Sequence, residues 1–376
     1  MMAAHAGLER RIQSALEASP PRIPVLLGGC GSGRTTTLHA LTDRLGRDQC
    51  QYIDVERAAS TPERFFAALT KSSPFASAIP GEAPRTAREA FDHTLSYLTR
   101  ARAADRPATF LLDEVLELRT FESFPGLRHV LRDLMQALSD AGNRFVLSSR
   151  YVVRAHRLLR DASARFEVMH LPALSPAEVT GILPPMGEAA REDRDFLGRT
   201  IQALSDGRAA YVRAISEATA AVSGRPGDPI SALTALLTSD GALTLWCGYR
   251  YELRLHRARG YGALKAILEI LAEDEPLTLT EIAQRLRRTP GSTKDYLSWL
   301  EDVDLVVARQ KRYSFSDPLL RLWVRLHCRP IPPTVDEVAH EVQHYALSRL
   351  PQPEPSLALA GAGAGERKGW GIIEID

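Results

Sequence analysis

Residues Gly28 to Thr35 read Gly-Gly-Cys-Gly-Ser-Gly-Arg-Thr, the spacing G-x-x-x-x-G-K-[ST] with arginine where lysine is usual. An apolar run of strand length, Ile23–Gly28, leads into it, and Leu38, Leu41 and Leu45 then recur on one face of a helix. Strand, glycine loop and helix in that order predict a turn whose inward N–H groups and helix N-terminus hold a phosphate chain. The residues assigned to it are Gly28, Gly29, Cys30, Gly31, Ser32, Gly33, Arg34, Thr35 and Thr36. Thr35 offers the hydroxyl for Mg²⁺, and Cys30 reads as a small filler rather than a reactive thiol. The competing reading, a βα turn that binds nothing, needs the full spacing and both flanks to coincide by chance.

Arginine changes what such a loop can do. Lysine is a compact charge that reaches the β- and γ-phosphates, whereas the forked guanidinium of Arg34 pairs oxygens two at a time and sits further out. Nucleoside triphosphate binding should survive the exchange better than the tight geometry of hydrolysis.

A chain of 376 residues with 44% hydrophobic content can bury a large core and is expected to divide into two or three domains. A formal net charge of +1 gives no global pull toward nucleic acid or membrane. Four cysteines without a C-x-x-C pair indicate neither a zinc site nor a disulfide framework. With no signal-peptide core and no apolar run of membrane-spanning length, a soluble cytoplasmic setting is expected.

Strand-like runs at Ile23–Gly28, Gln51–Val55, Thr109–Asp113, Phe145–Ser149 and Glu167–Leu171 alternate with helical patterns. That alternation predicts an α/β fold with a parallel sheet covered on both faces, over residues 1–172. Helical segments follow: a lid over 173–228, closed by a breaker cluster Gly224–Pro229 suited to a hinge, and a connector over 229–258. Over 259–330 the order helix, helix (Leu279–Leu286), sharp turn (Thr289–Ser292), helix (Ser292–Leu305, capped by Ser292 or Thr293) and two short strands predicts a winged helix-turn-helix. A terminal helix over 331–350 leads to a Pro/Ala/Gly tail over 351–376, expected to be disordered, with an apolar end at Trp370–Ile375.

Ala108-Thr-Phe-Leu-Leu-Asp113-Glu114 is an apolar strand ending in paired acids. Asp113 is placed on Mg²⁺ and Glu114 as the general base that orients the attacking water. Glu117 lies beyond the strand and is expected to be solvated. Phe145-Val-Leu-Ser-Ser-Arg150 ends where the strands of a parallel sheet converge on a ligand crevice, so Ser149 or Arg150 is positioned to touch the γ-phosphate.

Together these features resemble the AAA+ superfamily, in particular its signal-transduction (STAND) ATPases of the archaeal type with a C-terminal winged helix. The resemblance rests on Gly28–Thr35, Phe110–Glu114, Leu147–Arg150, Leu171–Glu178 and Arg312–Trp323, and spans roughly residues 8–330. It implies ATP and Mg²⁺ as ligands, with Ser149 and Arg150 as the sensor that reads the γ-phosphate. Arg208 in Asp206-Gly-Arg-Ala-Ala210 becomes a second sensor, and Arg160 or Arg165 a finger acting on a neighbouring subunit. The sequence departs from the family at Arg34, and at Ala209-Ala210 where a proline often follows the lid glycine.

The expected recognition helix carries four acids against one lysine over Thr293–Leu305, a poor match to DNA phosphates. Arg285, Arg287, Arg288, Arg309, Lys311 and Arg312 around it could grip a backbone without reading sequence. Protein docking or self-association, through the winged helix and the apolar tail, is favoured over specific DNA binding. The expected function is an ATP-binding regulatory switch with slow Mg-dependent hydrolysis. The alternatives are a DNA-binding regulator or initiator, and a nucleotide-binding scaffold that does not hydrolyse.

Overall fold

Side-chain alternation in the apolar strands decides how the N-terminal domain is layered. The computed structural model describes residues 6–75, 83–104, 106–183, 191–220 and 227–350. Strands β1 (Ile23–Leu27), β2 (Cys50–Asp54), β3 (Thr109–Asp113), β4 (Arg144–Ser149) and β5 (Phe166–His170) form one parallel sheet in the order β2-β3-β4-β1-β5. Val25, Leu27, Phe110, Leu112, Phe145 and Leu147 face one side, where Phe110 and Phe145 stack at 5.7 Å. Leu26, Leu111, Val146 and Met169 face the other, against Leu8, Ile12 and Leu16 of helix Ala6–Glu17 and Leu38 and Leu41 of helix Arg34–Leu45. Both faces are covered, as a parallel sheet requires.

β1 lies between β4 and β5, with Leu27 opposite Ser149 and His170. The loop after β1 therefore opens between the C-terminal ends of its neighbours, the position where such sheets hold ligands.

The lid consists of helices Pro176–Ile182, Arg191–Ser205 and Ala209–Ala220. The first is closed by a capping box in which the Ser175 hydroxyl accepts from Glu178 N–H and the Glu178 carboxylate accepts from Ser175 N–H. Helices Pro229–Leu236 and Ala242–His256 connect it to the winged helix. Half of the expected hinge, residues 224–226, lies outside the described residues, and its last part opens a helix: Asp228 caps helix Pro229–Leu236.

The winged helix contains helices Tyr261–Glu273, Leu279–Leu286 and Pro290–Asp302 and the strands β6 (Leu277–Thr278), β7 (Val306–Arg309) and β8 (Arg312–Phe315), paired β6-β8-β7. The recognition helix begins two residues earlier than its composition suggested. Thr289 is the cap, accepting from Ser292 N–H, and Pro290 opens the helix. Proline suits a first helical position, where its missing N–H costs nothing, so Thr289–Ser292 starts the helix rather than turning before it. Helices Pro318–His327 and Val335–Leu347 complete the described residues, and Tyr345 donates back to the carbonyl of Leu204 at 2.9 Å. The apolar segment expected to dock at the C-terminus lies outside the described residues.

Candidate nucleotide-binding site

Gly28–Gly33 form the loop, and helix Arg34–Leu45 begins directly after Gly33, whose φ of 100° is left-handed and favours glycine. Close packing within the loop accounts for Gly28 as well, since a Cβ there would lie 2.7 Å from Ser32 Oγ. Cys30 is buried and its Sγ accepts from Arg250 at 3.2 Å, consistent with a filler.

Arg34 does not extend outward. Its side chain folds into the loop, donating to the carbonyls of Gly28 and Gly29 (2.7 Å for the latter) and to Ser32 Oγ at 3.2 Å. Its other Nη pairs with Glu114 Oε1 at 2.6 Å, and both side chains are more than nine-tenths buried. Arg150 meets the same carboxylate: its Nε lies 3.1 Å from Oε1, and its backbone N–H donates to Oε2 at 3.0 Å. Burial alone would raise the Glu114 pKa. The two guanidiniums outweigh it and hold the carboxyl down at about 2. A carboxylate this tightly paired is ionised at neutral pH but has little tendency to take a proton from water.

Asp113 stands apart from that pair. Thr35 Oγ1 donates to its Oδ2 at 2.6 Å, Tyr52 donates to the same oxygen at 3.0 Å, and Ser148 donates to Oδ1. A hydroxyl and a carboxylate oxygen side by side at the loop end suit Mg²⁺, which takes few protein oxygens and completes its shell with water and phosphate.

Ser149 is turned away: it is fully buried and its Oγ accepts from Tyr151 N–H at 3.1 Å. Its neighbour Ser148, on the other face of β4, holds Asp113 and accepts from Glu114 N–H at 3.1 Å. Strand alternation could have separated the two serines, but nothing local says which faces the acids. Glu117 is not solvated, contrary to expectation. It is buried, bonded by Tyr151 Oη at 2.9 Å and ion-paired with Arg257, because the chain after Glu114 coils into a 3₁₀ segment, Val115–Ser123, that carries it inward.

Arg208 reaches the loop from the lid. Its Nη1 donates to Cys30 O at 2.9 Å, its Nη2 donates to Ser316 O, and Asp317 lies 3.6 Å away. Gly207, with φ of 63°, allows this approach, since a Cβ there would lie 2.6 Å from the carbonyl of Leu174. Asp304, in the turn before β7, also leans on the loop. A Cβ at Gly29 would lie 2.8 Å from Arg208 Nη1 and 3.1 Å from Asp304 Oδ2. Arg34 Nε in the loop region and Asp304 Oδ2 from the winged helix are buried polar atoms without a hydrogen-bond partner, so donor and acceptor capacity is left unsatisfied where the two meet. Thr35 and Thr36 lie exposed in the first helical turn.

Of the two finger candidates, Arg165 is committed within its own chain, donating to the carbonyls of Pro21 (2.9 Å), Ser139 and Ala141 (3.0 Å). Arg160 is exposed at the end of helix Val152–Leu159. Tyr52 and Glu56 were not anticipated from sequence. Glu56 pairs with Arg150 and, at 3.5 Å, with Arg257.

The Walker-type ATPase PABY2304 of Pyrococcus abyssi superposes with a TM-score of 0.63 at 18% identity, over 86% of this chain and 96% of that one. The chain has the fold of a Walker-type ATPase. Residues 263–307 match the winged helix-turn-helix DNA-binding family. No curated protein sequence matches significantly. The Walker-type fold accounts for the central sheet and its loop, and the family match covers the helices that sequence patterning assigned to a winged helix. Among the described residues no helix is long and apolar enough to cross a membrane.

Proposed function

We propose that this chain is an ATP-binding switch of the signal-transduction type, in which nucleotide state sets the position of the winged helix. Arg208 carries the reading. One guanidinium touches the phosphate loop at Cys30 and the winged helix at Ser316 and Asp317, so a triphosphate that competes for Arg208 weakens the hold on the winged helix. A ligand shifts such an equilibrium only by its differential affinity for the two states, and Arg208 with Asp304 supplies that difference: an anionic phosphate chain repels the carboxylate and attracts the guanidinium. Thr35 and Asp113 would hold Mg²⁺, which neutralises phosphate charge when bound.

Hydrolysis is slow in this reading. Glu114, the acid at the general-base position, is neutralised by Arg34 and Arg150. Calorimetry with Mg-ATP, combined with phosphate release, tests the reading: expected is saturable binding with turnover well below one per second, lost in Thr35→Ala. No detectable binding at millimolar Mg-ATP would overturn it.

A role in DNA binding is the second reading, favoured by the family match of residues 263–307. Against it, the recognition helix packs on helix Val152–Leu159, with Asp302 3.2 Å from Arg157, which leaves mainly its first turns exposed.

A further inference from the structure

A second cavity, of about 420 Å³, lies where the 3₁₀ segment after Glu114 meets the winged helix. Four arginines line it: Arg119, Arg154, Arg257 and Arg259, with Trp299 on the wall. Each acid around it has an ion-pair partner. Glu117 pairs with Arg257, and Asp302 pairs with Arg157 at 3.2 Å. Arg119 has Glu122 at 3.5 Å.

Arg154 and Arg259 pair with no carboxylate among the described residues. Arg154 packs over the Tyr151 ring at 5.1 Å, and its Nε is buried without a hydrogen-bond partner. Burial, then the neighbouring charge of Arg119, lowers its pKa, and the more distant carboxylates of Asp302 and Glu117 do not make up the difference. A guanidinium held in that condition destabilises the fold unless something meets it. Four guanidiniums against the two lining carboxylates of Glu117 and Asp302 leave the cavity with an excess of positive charge, and its volume is that of a small-molecule site.

We propose that this cavity is a second anion site that takes the dianionic phosphate of a phosphomonoester between Arg154 and Arg259. Forked guanidiniums suit the terminal oxygens of a monoester, which offers more charge and more acceptors than the single negative charge of a diester in a nucleic-acid backbone. The site adjoins the phosphate loop through an ion-pair chain, Arg257–Glu56–Arg150–Glu114. It is nevertheless independent of nucleotide at the loop.

The test is calorimetry on the full chain with phenyl phosphate as the monoester and dimethyl phosphate as the diester. Phenyl phosphate should bind the parent and Thr35→Ala alike, at least about tenfold more weakly to Arg154→Gln or Arg259→Gln, with Arg154→Lys intermediate. Its binding should also change tryptophan fluorescence, and Trp299→Phe should remove most of that change. Because Arg154 makes no ion pair and its burial is only partly offset by its contact with the Tyr151 ring, Arg154→Gln should melt close to the parent, which separates a lost site from a lost fold. Equal affinity in the parent and both glutamine variants would overturn the proposal. Dimethyl phosphate binding as tightly as phenyl phosphate would also overturn it, by pointing to a nucleic-acid backbone contact. Loss of Mg-ATP binding in Thr35→Ala with phenyl phosphate binding retained leaves this site standing whatever becomes of the switch.

Discussion

Arg34, standing where phosphate loops usually carry lysine, is ion-paired at 2.6 Å with Glu114, the acid at the general-base position. Two functional positions thus neutralise each other inside the protein. On the proposed reading, the pair is what keeps turnover slow in a loop with every glycine in place. Lysine at position 34 could not both cap the carbonyls of Gly28 and Gly29 and reach Glu114, because a single ammonium lacks the fork. Arg34→Lys should therefore keep Mg-ATP binding and raise turnover about tenfold or more, short of the roughly hundred- to ten-thousand-fold that one positioned base supplies because Arg150 still holds Glu114. Steady-state phosphate release measures it, and unchanged turnover would remove Glu114 pairing as the brake.

Truncating the same residue has a structural cost. Arg34→Ala leaves Glu114 with Arg150 alone and opens space beside the loop carbonyls, so a loss of about 3 kcal/mol is expected in urea unfolding. Mg-ATP affinity should fall with it, since Arg34 is the basic residue within the loop.

Acid should expose the pair as well. The Glu114 carboxyl is held at about 2 in the folded chain, against an ordinary 4.5. A depressed folded pKa contributes stability that is present above the unfolded value and is lost as pH falls from about 4.5 toward 2. For this buried group the contribution is about 3 kcal/mol. Urea midpoints followed from pH 6 to pH 2 should decline more steeply for the parent than for Glu114→Gln. Parallel curves would mean that the carboxylate is not held as described.

How much of this could be read from the sequence depended on the range of the interaction. Helix Leu279–Leu286 falls where its periodicity placed it, because a capping box at Thr278 and Glu281 and an apolar face are local signals. The five central strands also fall within a residue or so of their apolar runs. The loop, Thr35 and Asp113 were legible as a motif. The partner of Arg34 was not, since Glu114 is distant in the chain and only the β1–β4–β3 neighbourhood brings the two together. Tyr52, Glu56 and Ser148 were invisible for the same reason, and Glu117 was misjudged because a 3₁₀ segment has no strong periodicity.

DNA contact, if it occurs, should come from phosphates. Arg288, Arg309 and Lys311 are exposed around the winged helix, while Arg285 is paired with Asp274 at 2.7 Å. Duplex binding should be weak, indifferent to sequence and steeply lost with salt, and Arg309→Ala combined with Lys311→Ala should flatten the salt dependence. Tight binding of one sequence at physiological salt would favour a reader of DNA over a docking module.

The proposed coupling rests on Arg208, and the distance between the parallel-sheet domain and the winged helix measures it most directly. Spin labels at exposed Arg47 and Lys311, with the half-buried Cys328 replaced by serine, report that distance in the full chain. Mg-ATP should shift the distribution to longer separations in the parent, and Arg208→Ala should already show the longer population without nucleotide. If calorimetry records Mg-ATP bound while the parent's distribution stays unchanged, the winged helix does not answer to the nucleotide and the switch is contradicted.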